Sequence, residues 1–359
     1  MVGGTGPTGV PIVRGLVERG WSVTILHRGA HETDETPAAV VHEHRDPYDD
    51  AQLRDYFANE TFDLVVAMYG RLRRIAEVTR GRTGQFVSVG GVPAYRGWMN
   101  PWLGLPVPVA EDAPVVDAPG DDEKGYRIVR TEEAVFAAHA GAAHFRYPYV
   151  YGPRQLVPRE WLVVRRVLDG RDRIVVAEDG LTLHHHGFTE NLAHAVLLAV
   201  DRPHAAAGKV FNVGDEEVLS VRDVVELVAA ALGHRFEIVS MPYQLAVPAR
   251  PLLAQPLPTH RVLDLTRVRR DLGYHDVVPA RDAIALTARW LAEHPPERGG
   301  MEETVLTDPF DYAAEDRLID AWQSAVASIA PVEFTPEPGY GLAYSGPGGR
   351  ARSNAEYHA

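Results

Sequence analysis

The chain begins "MVGGTGPTGVPIVRGLVERG" (1–20), and the reading of this stretch decides the fold. Gly3, Gly6 and Gly9 recur every third residue, directly ahead of a helical pattern. Glycines so spaced allow a tight turn and let the backbone approach a pyrophosphate, which rests on the amides of the helix N-terminus. Thr5, Gly6, Pro7, Thr8 and Gly9 would form that cradle. Pro7 and Pro11 fall in the first turn, where a missing N–H costs little. Only Met1 and Val2 precede Gly3, whereas a strand usually takes about five residues. The natural start is therefore expected to lie upstream.

Outward from the loop, short apolar runs alternate with helical patterns. "SVTIL" (22–26), "FDLVVAM" (62–68), "GQFVSVG" (84–90) and "AAHFRYPYVYG" (142–152) read as strands. Segments 8–20, 50–60 and 126–141 read as helices. Such alternation predicts an α/β fold, a doubly wound parallel sheet with helices on both faces. Further helices are expected at 190–201, 220–233, 280–294 and 308–329, with a strand at 209–214. The Pro-, Gly- and Ser-rich tail, 331–359, is expected to be disordered.

Composition narrows the function classes. The chain has 359 residues, 45% of them hydrophobic and 24% charged, as in a soluble globular protein. No apolar run approaches the roughly 18 residues of a membrane span, and no signal-peptide pattern opens the chain. The absence of cysteine excludes disulfides and thiolate metal sites, and fits a cytoplasmic enzyme. A net charge of −13 disfavours a nucleic-acid partner.

Which dinucleotide binds is read at the end of the second strand. An acid there would bind the ribose hydroxyls of NAD, whereas an arginine accommodates a 2′-phosphate. "TILHRG" supplies His27 and Arg28, so NADP(H) is expected, with NAD(H) as the alternative. Asp46 in "HRDPYD" is a candidate adenine contact or a helix cap. In "GYRIVR", Tyr126 stands four positions before Arg130, a spacing that can hold a phenol beside a cation on one helix face. A phenol needs such a neighbour to ionise near neutrality.

Taken in order, "GGTGPTG", "FVSVGG", the Tyr126 helix, "RYPYVYGPRQ", "GFTENLAHAVLLAV", "KVFNVGDEEVLSVRDVVELV" and "TRVRRDLGY" resemble the extended and atypical short-chain dehydrogenase/reductases, the NAD-dependent epimerase/dehydratase group. The resemblance implies a Rossmann domain (1–150, with returning segments at about 188–233). It also implies a smaller, discontinuous substrate domain (151–187 and 234–295), followed by a helical extension at 296–330. It implies a homodimer and a small-molecule substrate. By that resemblance Tyr126 would transfer a proton, with Arg130 in place of the usual lysine. The usual serine falls at Gly90 or Gly91, with Ser88 two or three residues earlier. Tyr149 would meet the cofactor; Tyr95 and Tyr149 are alternative positions for the proton-transferring group.

His184 stands where many members carry a phosphate-binding arginine, and Arg261 loosely matches another such position. With the apolar and aromatic stretch "YRGWMNPWLGLPVP" (95–108), this leads to the expectation of a substrate less charged than a nucleotide sugar, with Gly91, Tyr95, Trp98, His184, His186 and Arg261 lining its site. His184 and His186 would share one face of a strand. No further ligand stands at a telling spacing, so no metal is expected. A redox-neutral epimerase or dehydratase, and a catalytically degenerate dinucleotide sensor, are the alternatives to an oxidoreductase.

Overall fold

The computed structural model describes residues 1–29, 32–68, 70–253 and 255–335. Its elements run α1 (Gly9–Glu18), β1 (Thr24–His27), β2 (Val41–His44), α2 (Asp50–Ala58), β3 (Phe62–Met68), α3 (Leu72–Val78), β4 (Thr83–Gly91), α4 (Glu123–Ala138), β5 (Ala143–Tyr147), β6 (Tyr149–Tyr151), α5 (Trp161–Leu168), β7 (Arg173–Ala177), β8 (His186–Phe188), α6 (Thr189–Asp201), β9 (Lys209–Asn212) and β10 (Glu237–Met241).

The main sheet is parallel throughout. β1 pairs with β2, and β3, β4, β5 and β9 pair in that order. Val2 joins the two halves through parallel bridges to Leu26 and Ala67. The central position is thus held by Val2, whose N–H donates to Val66 O at 2.9 Å, while Leu26 N donates to Met1 O at 2.8 Å. The glycine loop leaves the sheet from this point, between β1 and β3.

Both faces of the sheet are covered, as the alternating pattern predicts. Ile12, Val13 and Leu16 of α1 and Leu192–Val200 of α6 pack with Val66, Val87, Val89 and Phe145. On the other face Leu53, Phe57, Ile75 and Val135 of α2, α3 and α4 pack with Val65 and Phe86. Burying each such side chain contributes about 1.5–3 kcal/mol. At Gly15 a Cβ would stand 2.2 Å from Leu197 Cδ1, so this glycine sets how closely α1 and α6 approach.

Two minor parallel pairs, β6 with β8 and β7 with β10, carry the segments assigned above to substrate binding. Contacts gather Met1–Phe310 into one compact unit. Asp311–Ala359 form a second, whose helix Tyr312–Ala327 is capped by Asp311 accepting from Ala314 N at 3.0 Å. No helix among the described residues is long and apolar enough to cross a membrane. The expectation for the tail falls almost wholly on 336–359, outside the described residues.

Candidate functional site

The glycine loop has the geometry its sequence demands. Gly3 and Gly4 take φ values of +89° and +112°, which disfavour any side chain. A Cβ on Gly9 would stand 2.6 Å from Gly4 Cα, so only glycine lets α1 close on the loop. Gly6 differs, since a Cβ there meets nothing within 4 Å. Thr8, the N-cap, makes no side-chain cap. Among the described residues the N–H groups of Thr5 and Gly6 find no acceptor. Free amides, a helix N-terminus and open space beside Gly6 fit the phosphates of a dinucleotide.

Gly3 and Thr5 line a cleft of about 260 Å³ with His27, Arg28, Pro47, Tyr48 and Gly70. Arg28 thus stands on the same cleft as the glycine loop. Tyr48, which the sequence did not single out, has two guanidiniums near its ring, with Arg28 Cζ 5.9 Å and Arg71 Cζ 5.3 Å from the ring centroid. Asp46 is a turn residue here. Its Oδ1 accepts from Tyr48 N at 2.9 Å, and its own N–H donates to Gln52 Oε1 at 3.0 Å. The helix-capping alternative is nearer than the adenine contact, although the cap of α2 itself is Asp49. His27 is buried at the end of β1, and its Nδ1 accepts from Gly29 N at 3.1 Å.

Gly70 also lines a larger cleft of about 880 Å³, with Arg71–Arg74, Val89–Gly91, His144 and, from α4, Glu123, Lys124, Arg127, Ile128 and Thr131. Helix α4 begins at Glu123, one turn earlier than the sequence reading, because Asp122 accepts from Lys124 N at 3.0 Å and caps it. Tyr126 is half-buried against Ala94, Val116 and Val129. Arg130 lies over the Tyr126 ring, with Cζ 5.2 Å from its centroid, and pairs with Glu133 at 2.6 Å. The spacing therefore does put phenol and cation on one face, and the cation also has a carboxylate of its own.

Ser88 is placed differently from its candidate catalytic role. It is fully buried within β4, with Oγ 2.8 Å from His144 Nδ1. That hydroxyl belongs to the interior of the sheet. A Cβ on Gly90 would stand 2.5 Å from His144 Nε2, so the histidine fills the space a side chain there would need. Burial pushes the His144 imidazole down to about 4, against the pull of Glu132. Glu132 in turn holds the buried Arg146, whose Nε and Nη2 donate at 3.0 and 2.6 Å. Tyr95 is likewise a core residue. It is fully buried, donates to Asn212 Oδ1 at 2.6 Å and carries Arg146 on its ring, and burial pushes its phenol up to about 12.

The remaining candidates meet around Arg159, another residue the sequence reading missed. Its Nη1 lies 3.2 Å from His184 Nδ1 and 2.9 Å from His186 Nε2, and its Cζ lies 4.7 Å from the Tyr149 ring centroid. The strand alternation that places His184 and His186 together is correct, with ring centroids 5.0 Å apart. Tyr149 sits with this cluster and donates to Val157 O at 2.5 Å. Arg261 pairs with His184 through a parallel bridge, and Trp98 stands 6.4 Å from the His184 ring. Arg261 is fully buried, donates through Nε to Trp98 O at 2.9 Å, and leaves Nη2 without a hydrogen-bond partner.

Burial without a nearby carboxylate draws the Arg261 guanidinium down to about 10. Burial also lowers Arg159, with Tyr149 and then Glu160 only partly offsetting it. Desolvation first, and then the charges of Arg159 and Arg261, push the His184 imidazole well down. His185 faces elsewhere and is structural: its Nδ1 accepts from Leu263 N at 3.0 Å, and its Nε2 lies 2.8 Å from Asp215 O.

No protein-family model matches the chain. An uncharacterized protein, y4nL, of Sinorhizobium fredii is 25% identical over 206 residues, 50% of this chain and 57% of that protein. A dTDP-glucose 4,6-dehydratase of Streptomyces griseus is 28% identical over 148 residues, 40% of each chain. The chain spans about half the length of the curated relatives it matches. Among solved structures, UDP-glucose 4-epimerase of Thermotoga maritima, with UDP-glucose, superposes with a TM-score of 0.66 at 18% identity, covering 82% of this chain and 98% of that one. UDP-glucuronic acid 4-epimerase of Bacillus cereus, with UDP-glucuronic acid and NAD, gives 0.64 at 16% identity over 82% and 98%. The chain has the Rossmann-type fold of the NAD-dependent epimerases and dehydratases of the extended short-chain dehydrogenase/reductase superfamily.

Proposed function

We propose that the protein is an NADP(H)-dependent enzyme of the extended short-chain dehydrogenase/reductase type. Its substrate would be a sugar-like alcohol or carbonyl carrying an anionic group. The observation that carries the reading is the glycine loop, whose Thr5 and Gly6 amides are unclaimed among the described residues and whose Gly3 and Thr5 line a cleft with Arg28. The fixed charge of Arg28 favours a 2′-phosphate, and Tyr48 offers a face to the adenine. When bound, the nicotinamide would supply a donor or acceptor of two electrons. Tyr126 would give or take the proton, and Arg130 would hold charge beside the phenol and reach the nicotinamide ribose.

The anionic group enters the proposal from Arg159 and Arg261. Two buried guanidiniums that make no ion pair among the described residues are costly in the free protein even with Glu160 near Arg159, and a phosphate or carboxylate would offset that cost. This replaces the expectation of a weakly charged substrate, which rested on His184 and on the apolar, aromatic stretch 95–108. A homodimer in the cytoplasm belongs to the same reading.

The test is Tyr126→Phe, assayed for NADPH-linked turnover over sugar phosphates, nucleotide sugars and simple carbonyls. Turnover should fall by about 10²–10⁴-fold with NADPH affinity little changed. Wild-type turnover in the variant would remove Tyr126 from the chemistry. A second reading, a dinucleotide-binding sensor without turnover, is favoured by Arg130 being committed to Glu133 and by Ser88 being enclosed in the sheet. It would be chosen if NADPH binds and the whole panel is inert.

A further inference from the structure

The sequence offers no metal motif, yet the parallel pairing of β1 and β2 builds a donor set that linear spacing hides. Register pairs His27 with His44 and Ile25 with His42. Because side chains alternate, His27, His42 and His44 emerge on the same face of the two strands. Glu32, from the loop between the strands, meets them there.

His27 Nε2 lies 3.0 Å from His42 Nδ1, and His44 Nε2 lies 2.6 Å from Glu32 Oε1. The same Oε1 is 3.6 Å from His42 Nδ1 and 3.8 Å from His27 Nε2. All four donor atoms fall within 4.8 Å of one another. Tetrahedral zinc with bonds of about 2.0–2.1 Å separates its ligand atoms by roughly 3.4 Å. The observed separations straddle that value, so shifts of about an ångström would complete the shell. Three imidazoles and one carboxylate are borderline donors that suit Zn²⁺, and suit Mg²⁺ or Ca²⁺ poorly.

We propose that His27, His42, His44 and Glu32 form a site for a zinc-type divalent cation. The ion would clip the loop after β1 to the outer strand of the sheet. Arg28, next in sequence to a ligand, lines the glycine-loop cleft, so the clip also fixes that wall of it. One rearrangement is required. His27 Nδ1 now accepts from Gly29 N, whereas a metal-bound imidazole carries its proton on the far nitrogen. Gly29, at φ +77°, must therefore turn its amide away when the ion binds.

The experiment uses tag-free full-length protein stripped with a chelator, then titrated with Zn²⁺ by calorimetry and followed by thermal unfolding. The wild type should bind one ion per chain and gain several degrees in Tm. His42→Ala and His44→Ala should each weaken that binding at least tenfold, while their stripped forms melt within a few degrees of stripped wild type. Should those variants fold poorly, Zn K-edge absorption of the loaded wild type decides, with three imidazole nitrogens and one oxygen expected. The proposal fails if the wild type does not bind stoichiometrically, or if His27→Ala/His42→Ala/His44→Ala binds one ion as tightly as wild type. Mg²⁺ in place of Zn²⁺ should give no Tm shift, and an equal shift would also overturn it.

Discussion

Arg130 lies over the ring of Tyr126, one helical turn away, with its guanidinium carbon 5.2 Å from the ring centroid. A lysine at that position would present a compact charge, whereas the planar guanidinium is held between the ring and Glu133. Stacking of this kind contributes about 0.5–1 kcal/mol where solvent reaches it. Arg130→Met should therefore cost little stability but lower both dinucleotide affinity and turnover. Arg130→Lys should preserve turnover to within about tenfold. Steady-state kinetics beside fluorescence titration separates the two effects, and unchanged kinetics in Arg130→Met would remove the residue from the site.

The glycine loop allows a sharper contrast. Gly6→Val adds a side chain where nothing lies within 4 Å, so the variant should fold like the wild type yet lose dinucleotide binding. Gly9→Ala places a Cβ 2.6 Å from backbone and should lose both, with stability falling by about 1–3 kcal/mol. Denaturant melts and NADPH titrations of both variants check this. Normal NADPH binding by Gly6→Val would mean that the loop is only a structural turn.

Arg261 tests the anionic substrate. Replacing a buried, uncompensated cation by an apolar side chain of similar length is often neutral or stabilising. Arg261→Met should thus melt at or above the wild-type temperature in the absence of ligand. Millimolar inorganic phosphate or UDP should raise the wild-type Tm and leave the variant unmoved. Equal shifts in both proteins would place the anion elsewhere.

Asp215 gives a pH signature. It accepts from Tyr151 Oη at 2.7 Å, Asn191 Nδ2 at 2.9 Å and Phe188 N at 2.9 Å, and burial pushes its carboxyl up to about 7. An acid raised on folding binds its proton more tightly in the native state. Its contribution is complete below the unfolded value near 4 and is lost as pH rises through 7, with a slope of about 1.4 kcal/mol per pH unit. Asp215→Asn should flatten that slope between pH 4 and 7, measured by urea melts. An unchanged slope would show that Asp215 does not carry it.

Much of this architecture was legible because local pattern and burial agree. "FDLVVAM" is β3 to the residue, and "GGTGPTG" needs glycine for reasons of backbone shape that its own sequence states. β2 was missed because "VHEH" is too polar to read as a strand, and it pairs on one side only. The partners of Ser88 and Tyr95 were not legible because His144 and Asn212 lie more than fifty residues away in each case. Arg159 gave no signal at all. Its importance comes from His184, His186 and the Tyr149 ring, which only the folded chain brings to it.

The account rests most directly on Arg28 beside the glycine loop, and calorimetric titration of NADPH and NADH against wild type and Arg28→Ala tests it. A lost charge-assisted contact costs about 1.5–3 kcal/mol, or roughly 10–150-fold in affinity. The wild type should bind NADPH tenfold or more tighter than NADH, and Arg28→Ala should abolish that preference by weakening NADPH alone. Equal affinities in the wild type, or a preference for NADH, would contradict it.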